Sequence, residues 1–221
     1  MEATPTVLTA MWVAGLAAGA ALVAWWRVVG RGYAWLSAAV VALVGAGLGA
    51  ITGDPLAWLG TGAVIVAAAA AARPTAATAV FGVAAALFVV AGLADSPLIP
   101  LITGAAFLGA VTTEMMLGHW FLVDPQLPRW SLSRLALIGA GALAIDVGYL
   151  ATQGLVAGAA AEPVLGWAYL ALALMTSLLI AGVVFSLKES SYSGVMAATG
   201  LSYLAVLTSF GVAVLGRMLV A

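Results

Sequence analysis

Residues 6–27 read Thr6-Val-Leu-Thr-Ala-Met-Trp-Val-Ala-Gly-Leu-Ala-Ala-Gly-Ala-Ala-Leu-Val-Ala-Trp-Trp-Arg27, with no charged side chain before the arginine. About 20 consecutive apolar residues are enough for a helix to cross the hydrocarbon core of a bilayer. This run meets that length and closes on a break holding Arg27 and Arg31. The same design recurs along the chain. Eight apolar stretches, at 6–27, 33–52, 56–72, 77–94, 98–123, 132–152, 163–187 and 193–216, are separated by short polar breaks. The expected fold is all-α, a polytopic membrane protein built as a bundle of eight transmembrane helices in a single transmembrane domain over residues 1–221.

The breaks also give an orientation. Those after odd-numbered spans hold Arg27 and Arg31, Arg73, Arg129 and Arg134, and Lys188, whereas those after even-numbered spans hold Asp54, Asp95 and Glu162 and no base. Lys and Arg accumulate on the cytoplasmic side of membrane proteins. Six of the seven bases thus mark that face, and both termini are expected to be extracytoplasmic. Arg217, near the C-terminal end of span eight, is the exception. The expected location is a cell membrane, the bacterial cytoplasmic membrane in particular.

Composition removes several classes of function. The chain is 65% hydrophobic and 7% charged, and its longest breaks leave no room for the roughly 50 residues of a small soluble domain. It has no cysteine, which excludes disulfides, thiolate metal sites, thiol nucleophiles and covalent haem attachment. A net charge of −1 without a basic run argues against nucleic acid as a partner. The N-terminus, Met1-Glu2-Ala3-Thr4-Pro5, lacks the positive region of a signal peptide, so the first span reads as a retained helix. No P-loop, HExxH, GxSxG or calcium-loop motif is present.

There are 26 glycines. In lipid, small residues let helix backbones approach, and Gly15/Gly19 and Gly45/Gly49 have the four-residue spacing for it. An alanine-rich composition would also scatter such pairs by chance. A second pattern is a weak internal similarity. The run from Trp35 to Gly47, opening span two, faces the run from Trp130 to Gly141, opening span six, with its glycines at a shift of 94. The same shift sets Trp25-Trp26 against His119-Trp120. Pro55 and Pro163 open spans three and seven at a shift of 108. These alignments allow a 4+4 parallel repeat, residues 6–94 and 98–216.

Ionisable groups well inside the spans are few: Glu114, His119 and Asp146. A carboxylate at a span centre costs roughly 2.5–3.5 kcal/mol on insertion scales, so such a group faces protein or water. Glu114 lies ten residues before Asp124, about 15 Å deep at 1.5 Å per residue, and Asp146 lies twelve past Arg134, about 18 Å deep from the same side. At matched depth on consecutive helices, the two acids are expected to share a proton or flank a polar cavity, as a proton relay or ion site. The plainer reading gives each acid a local partner, Thr112, Thr113, Tyr149 or a carbonyl.

His119, the single histidine, sits about 140° around the helix from Glu114. Thr112, Met115 and Met116 lie on or beside its face. Haem is disfavoured for this chain alone: bis-histidine ligation needs a second histidine, and Met115 and Met116 cannot reach the opposite haem face from the same helix. Met175, Met196 or a partner chain would have to serve. A quinone headgroup suits the segment better. Gly118 removes bulk beside His119 at the cytoplasmic end of span five, and His119, Trp120 and Arg134 are donors at headgroup depth. An aromatic belt with snorkelling arginines explains Trp130 and the arginines equally well.

Span five opens with Pro97 and Pro100 and, at about 26 residues, is expected to be the longest, hence tilted or projecting. Spans seven and eight carry Thr176, Ser177, Ser186, Thr199, Ser202, Tyr203, Thr208 and Ser209, read first as interhelical hydrogen bonds. The functional expectation is an integral-membrane subunit of a larger complex. It would handle electrons or protons with a quinone-like or other amphipathic ligand near the cytoplasmic end of span five. Its partners would be the bilayer and other membrane subunits or further copies of itself. The alternatives are a small proton-coupled transporter or channel, and a ligand-free scaffold subunit.

Overall fold

The structure is a computed structural model that describes residues 4–189 and 191–221. Among the described residues there are nine helices and no strand: α1 (Pro5–Trp26), α2 (Arg31–Thr52), α3 (Pro55–Ala69), α4 (Pro74–Gly92), α5 (Leu98–Trp120), α6 (Arg129–Thr152), α7 (Leu155–Ala161), α8 (Pro163–Ser186) and α9 (Tyr192–Leu219). Seven of them, all but α3 and α7, are long and apolar enough to cross a membrane. Their outward faces are apolar: Leu43, Val164 and Phe185 are each more than 70% exposed. Lipid accepts such surfaces, and a helix meets its own backbone hydrogen bonds there. The chain is a multi-pass helical membrane protein in contact with the bilayer.

Three expectations need correction. The third apolar stretch is helical for only 15 residues, about 22 Å, against the ~30 Å of a hydrocarbon core. Pro74 is the cause. It pushes Arg73 out of the helical region (φ −122°, ψ 89°) and supplies no N–H to continue the ladder. Residues 70–73 close in tight turns instead, and Trp35 of α2 donates its indole N–H to Ala68 O at 3.0 Å. Span five is not the longest. α5 has 23 residues and α9 has 28, because after Trp120 the chain tightens into turns ahead of Asp124-Pro125. The break after span six holds a two-turn helix, α7.

Local chemistry fixes the α2–α3 corner. Gly53 adopts the left-handed conformation (φ 69°) and donates to Gly49 O at 2.8 Å, and Asp54 then caps α3 by accepting from Leu56 N at 2.8 Å. Pro55 takes the first helical position, where its missing N–H is not needed.

The chain divides into two compact units, Pro5–Gly109 and Ala110–Ala221. In the first, each of α1–α4 packs on its neighbours in a closed ring, with α1 against α4. The first half of α5 crosses α1 at glycine. A Cβ on Gly15 would lie 2.0 Å from Ala105 O and 2.8 Å from Gly109 Cα, so the two backbones touch. Gly45 and Gly49 serve differently, as sockets for Phe88 and Trp58. In the second unit α8 and α9 form the main helix pair, α6 packs on both, and α7 lies against α6, α8 and α9.

Candidate functional site

The membrane-embedded polar groups of the second unit converge on α9. Side chains spaced at helical intervals along α9 meet the C-terminal half of α5 on one side and α6 on another. Thr199 and Ser202 face Gly118 and Glu114, so α5 and α9 run antiparallel. Arg129 Nη2 donates to Ser191 O at 3.0 Å, and Arg217 reaches Asp146, so α6 and α9 run parallel. Arg129 also donates to Glu189 O, tying the start of α6 to the α8–α9 turn.

Arg217 and Asp146 form a bidentate ion pair with N–O distances of 2.8 and 2.9 Å, and both side chains are 0% exposed. The fork geometry of guanidinium and carboxylate is well matched here. Tyr169 of α8 packs against Gly216, beside the pair, with a buried hydroxyl that has no hydrogen-bond partner among the described residues. Arg217 is therefore no marker of membrane side. It is a buried cation whose counter-ion is one of the two intramembrane acids.

Glu114 has a different environment. It is 3% exposed, and Ser202 of α9 bonds its Oε2, while Oε1 has no hydrogen-bond partner among the described residues. Ser202 Oγ also lies 2.8 Å from Ala198 O. A hydroxyl has one proton to give, and a backbone carbonyl can only accept. Both contacts are made at once when Glu114 carries a proton and donates it to Ser202 Oγ. When Glu114 lacks that proton, Ser202 turns its own toward the carboxylate and gives up Ala198 O. The depth match between the two acids does not make them a pair: one is held by a guanidinium, the other by a hydroxyl. The cause is register on α9, which brings Arg217 to α6 and Ser202 to α5.

The four residues assigned to an amphipathic headgroup divide among separate contacts. Space beside Gly118 is filled by Thr199, whose Oγ1 would lie 2.7 Å from an added Cβ, so this glycine admits a neighbouring helix rather than a flat ligand on that side. His119 is exposed, and its Nδ1 shares a 3.1 Å hydrogen bond with the hydroxyl of Tyr203, the rings edge to face. Trp120 is half-buried. Arg134 is exposed and stacks over Trp130, 4.6 Å from the ring centroid, as a belt arginine does. Among the described residues no three His, Asp or Glu gather as a metal site.

Ser202, Tyr203, Tyr169 and Arg217 enter the site from outside the sequence-based assignment. For Arg217 a signal existed: a base inside an apolar helix needs an acid at reach. The other hydroxyls were legible only as polar residues. One of them, Thr176, donates to Thr208 across α8 and α9 at 2.8 Å, while Ser177, Thr199 and Ser209 bond carbonyls of their own helices. Comparisons of the chain with protein-family models, with curated proteins and with solved structures return no match.

Proposed function

We propose that the protein handles protons inside the membrane, with Glu114 as the exchanging group, as a subunit of a larger membrane assembly. One observation carries the reading: Glu114 is buried against Ser202, whose single proton can serve either Glu114 or Ala198 O. Such a site keeps a hydrogen bond in both charge states after one hydroxyl rotation. His119 and Tyr203 extend the polar line toward the basic end of α5, five residues or about 7 Å of helix beyond Glu114. Their exposed ring and hydroxyl offer two polar contacts for a quinone-like or other amphipathic headgroup. Trp120 and Arg134 remain neighbours of that site in this reading. Asp146, locked to Arg217, holds α6 on α9 and exchanges nothing. The breaks between the helices are too short to hold a soluble domain, which supports a partner that supplies the remaining chemistry.

The orientation belongs to the same proposal. The basic breaks face the cytoplasm, both termini face outward, and α3 makes an eighth crossing with Asp54 and Arg73 reaching for the two interfaces. A second reading, a proton-coupled carrier, is favoured by the neighbour pattern of the two units. α1–α4 form a closed ring, and α5, α6, α8 and α9 repeat its contacts: α5 with α9, α6 with α8, α8 with α9, α5 with α6. That pattern supports the 4+4 repeat, with α7 inserted in the second half.

Infrared difference spectra of the protein in vesicles, taken across a pH change, test the proton site. A protonated-carboxyl band should be lost in Glu114→Gln and shifted in Ser202→Ala, with both variants folded by circular dichroism. A carboxyl band unchanged in Glu114→Gln would overturn the proposal. Solute flux in the same vesicles, abolished by Glu114→Gln, would select the carrier over the complex subunit.

A further inference from the structure

A second feature of the membrane face is a groove between α6 and α8, with a volume of about 410 Å³. Leu137, Ala140 and Leu143 line it from α6, and Ile180, Ala181 and Val184 from α8. The two alanines make the depression between the larger side chains of Leu137, Leu143, Ile180 and Val184 that line it with them. The rim is open to lipid: Leu137 is 59% and Phe185 74% exposed. Ser177 closes one end but offers no free donor there, because its hydroxyl bonds Ala173 O at 2.8 Å. Lys188 closes the other end, its ammonium 6.0 Å from the Phe185 ring centre.

Length and charge identify an occupant. From Ser177 the groove follows nine residues of α8 to its end at Ser186, about 14 Å at 1.5 Å per residue, and Lys188 lies in the turn just beyond. One leaflet of hydrocarbon is about half of ~30 Å. The groove therefore runs from the bilayer centre to the headgroup level and has a cation only at the headgroup end. Arg134 adds a second positive charge, three residues from Leu137 on the same side of α6 and one turn nearer the interface. A free anion would find no use for the apolar length, and an uncharged chain none for the ammonium.

We infer that the α6–α8 groove is a binding site for an anionic phospholipid of the leaflet on the basic side, with one acyl chain along Ala140 and Ala181 and its phosphate at Lys188. Basic pockets between transmembrane helices hold acidic headgroups in this way, at about 1 kcal/mol per base near the surface. The site is separate from Glu114 and does not depend on its role.

The test is lipid retention by the intact chain, measured by native mass spectrometry after extraction from vesicles of equal phosphatidylglycerol and phosphatidylcholine. Phosphatidylglycerol should be retained in preference. Lys188→Gln should reduce that preference about fivefold, Lys188→Arg should restore it, and Ala140→Phe should expel both lipids by filling the groove. Equal retention of the two lipids, or unchanged retention in Lys188→Gln and Ala140→Phe, would overturn the inference. So would disulfide cross-linking of Ala181→Cys between two copies with no lipid retained, which would assign the groove to a second copy of the chain.

Discussion

Removing Asp146 while leaving Arg217 should be the most damaging single change in the second unit. The pair is bidentate, fully buried and the link between α6 and the far end of α9. Breaking a buried ion pair from one side costs about 3–5 kcal/mol, because the remaining charge stays uncompensated, whereas replacing both partners by apolar groups is often neutral or stabilising. The two single changes should also differ from each other. Arginine cannot shed its proton, so Asp146→Leu strands a fixed cation among apolar helices. In Arg217→Met the remaining carboxyl can accept a proton and become neutral, which limits the loss to the range of an unsatisfied polar group, about 1–3 kcal/mol. The double variant should return to within about 1 kcal/mol of the parent, giving a large favourable coupling in the double-mutant cycle. On the scale of soluble proteins of similar length, the Asp146→Leu loss corresponds to about 10 °C in melting temperature. Thermal unfolding of the four proteins in one detergent provides the assay. Additive single losses, or a double variant worse than Asp146→Leu, would refute the reasoning.

Two further outcomes test the packing and the topology. Gly15→Ala should destabilise by about 1–3 kcal/mol, since its Cβ meets the backbone of Ala105 and Gly109, while Gly47→Ala, with nothing within 4 Å of an added Cβ, should be neutral or slightly stabilising in the same thermal assay. Equal effects at the two positions would remove the α1–α5 backbone crossing. Cysteines placed at Asp54 and Arg73 should be labelled by an impermeant reagent from opposite sides of the membrane. Labelling of both from one side would show that α3 does not cross.

Much of the fold was legible because a bilayer simplifies the code. Length of apolar run and position of charge set where most helices begin and end, and several observed ends follow prolines that the sequence displays: Pro5, Pro55, Pro74 and Pro163 each open a helix. The same rule applied to span three ran three residues too far, because hydropathy counts Ala70, Ala71 and Ala72 as membrane whatever their backbone does, and Pro74 decides the backbone. The site was legible in composition and illegible in pairing. Glu114 and Asp146 could be placed at similar depths from a rise of 1.5 Å per residue, but depth says nothing about azimuth or about which third helix comes between. Gly118 misled for a related reason: an absent side chain looks like room for a ligand until the neighbouring helix, here Thr199, is known.

The two acids together show why burial alone is a weak guide to function. Both sit in apolar helices and both are almost fully buried. Asp146 accepts two charge-assisted hydrogen bonds from a base that cannot release its proton, so neutralising it would leave Arg217 as a buried cation without its counter-ion. Its charge is fixed by its partner. Glu114 faces a hydroxyl that can donate or accept, and a change of its charge leaves no ion uncompensated that was compensated before. Its second oxygen has no hydrogen-bond partner among the described residues. Exchange of a proton at Asp146 would thus disrupt the packing of α6 on α9, while exchange at Glu114 would break no ion pair and would turn Ser202 toward the carboxylate, at the cost of a buried charge held by one hydroxyl. The distinction rests on what each partner can do with a proton, and on that ground Glu114 rather than Asp146 is the group we propose to exchange one.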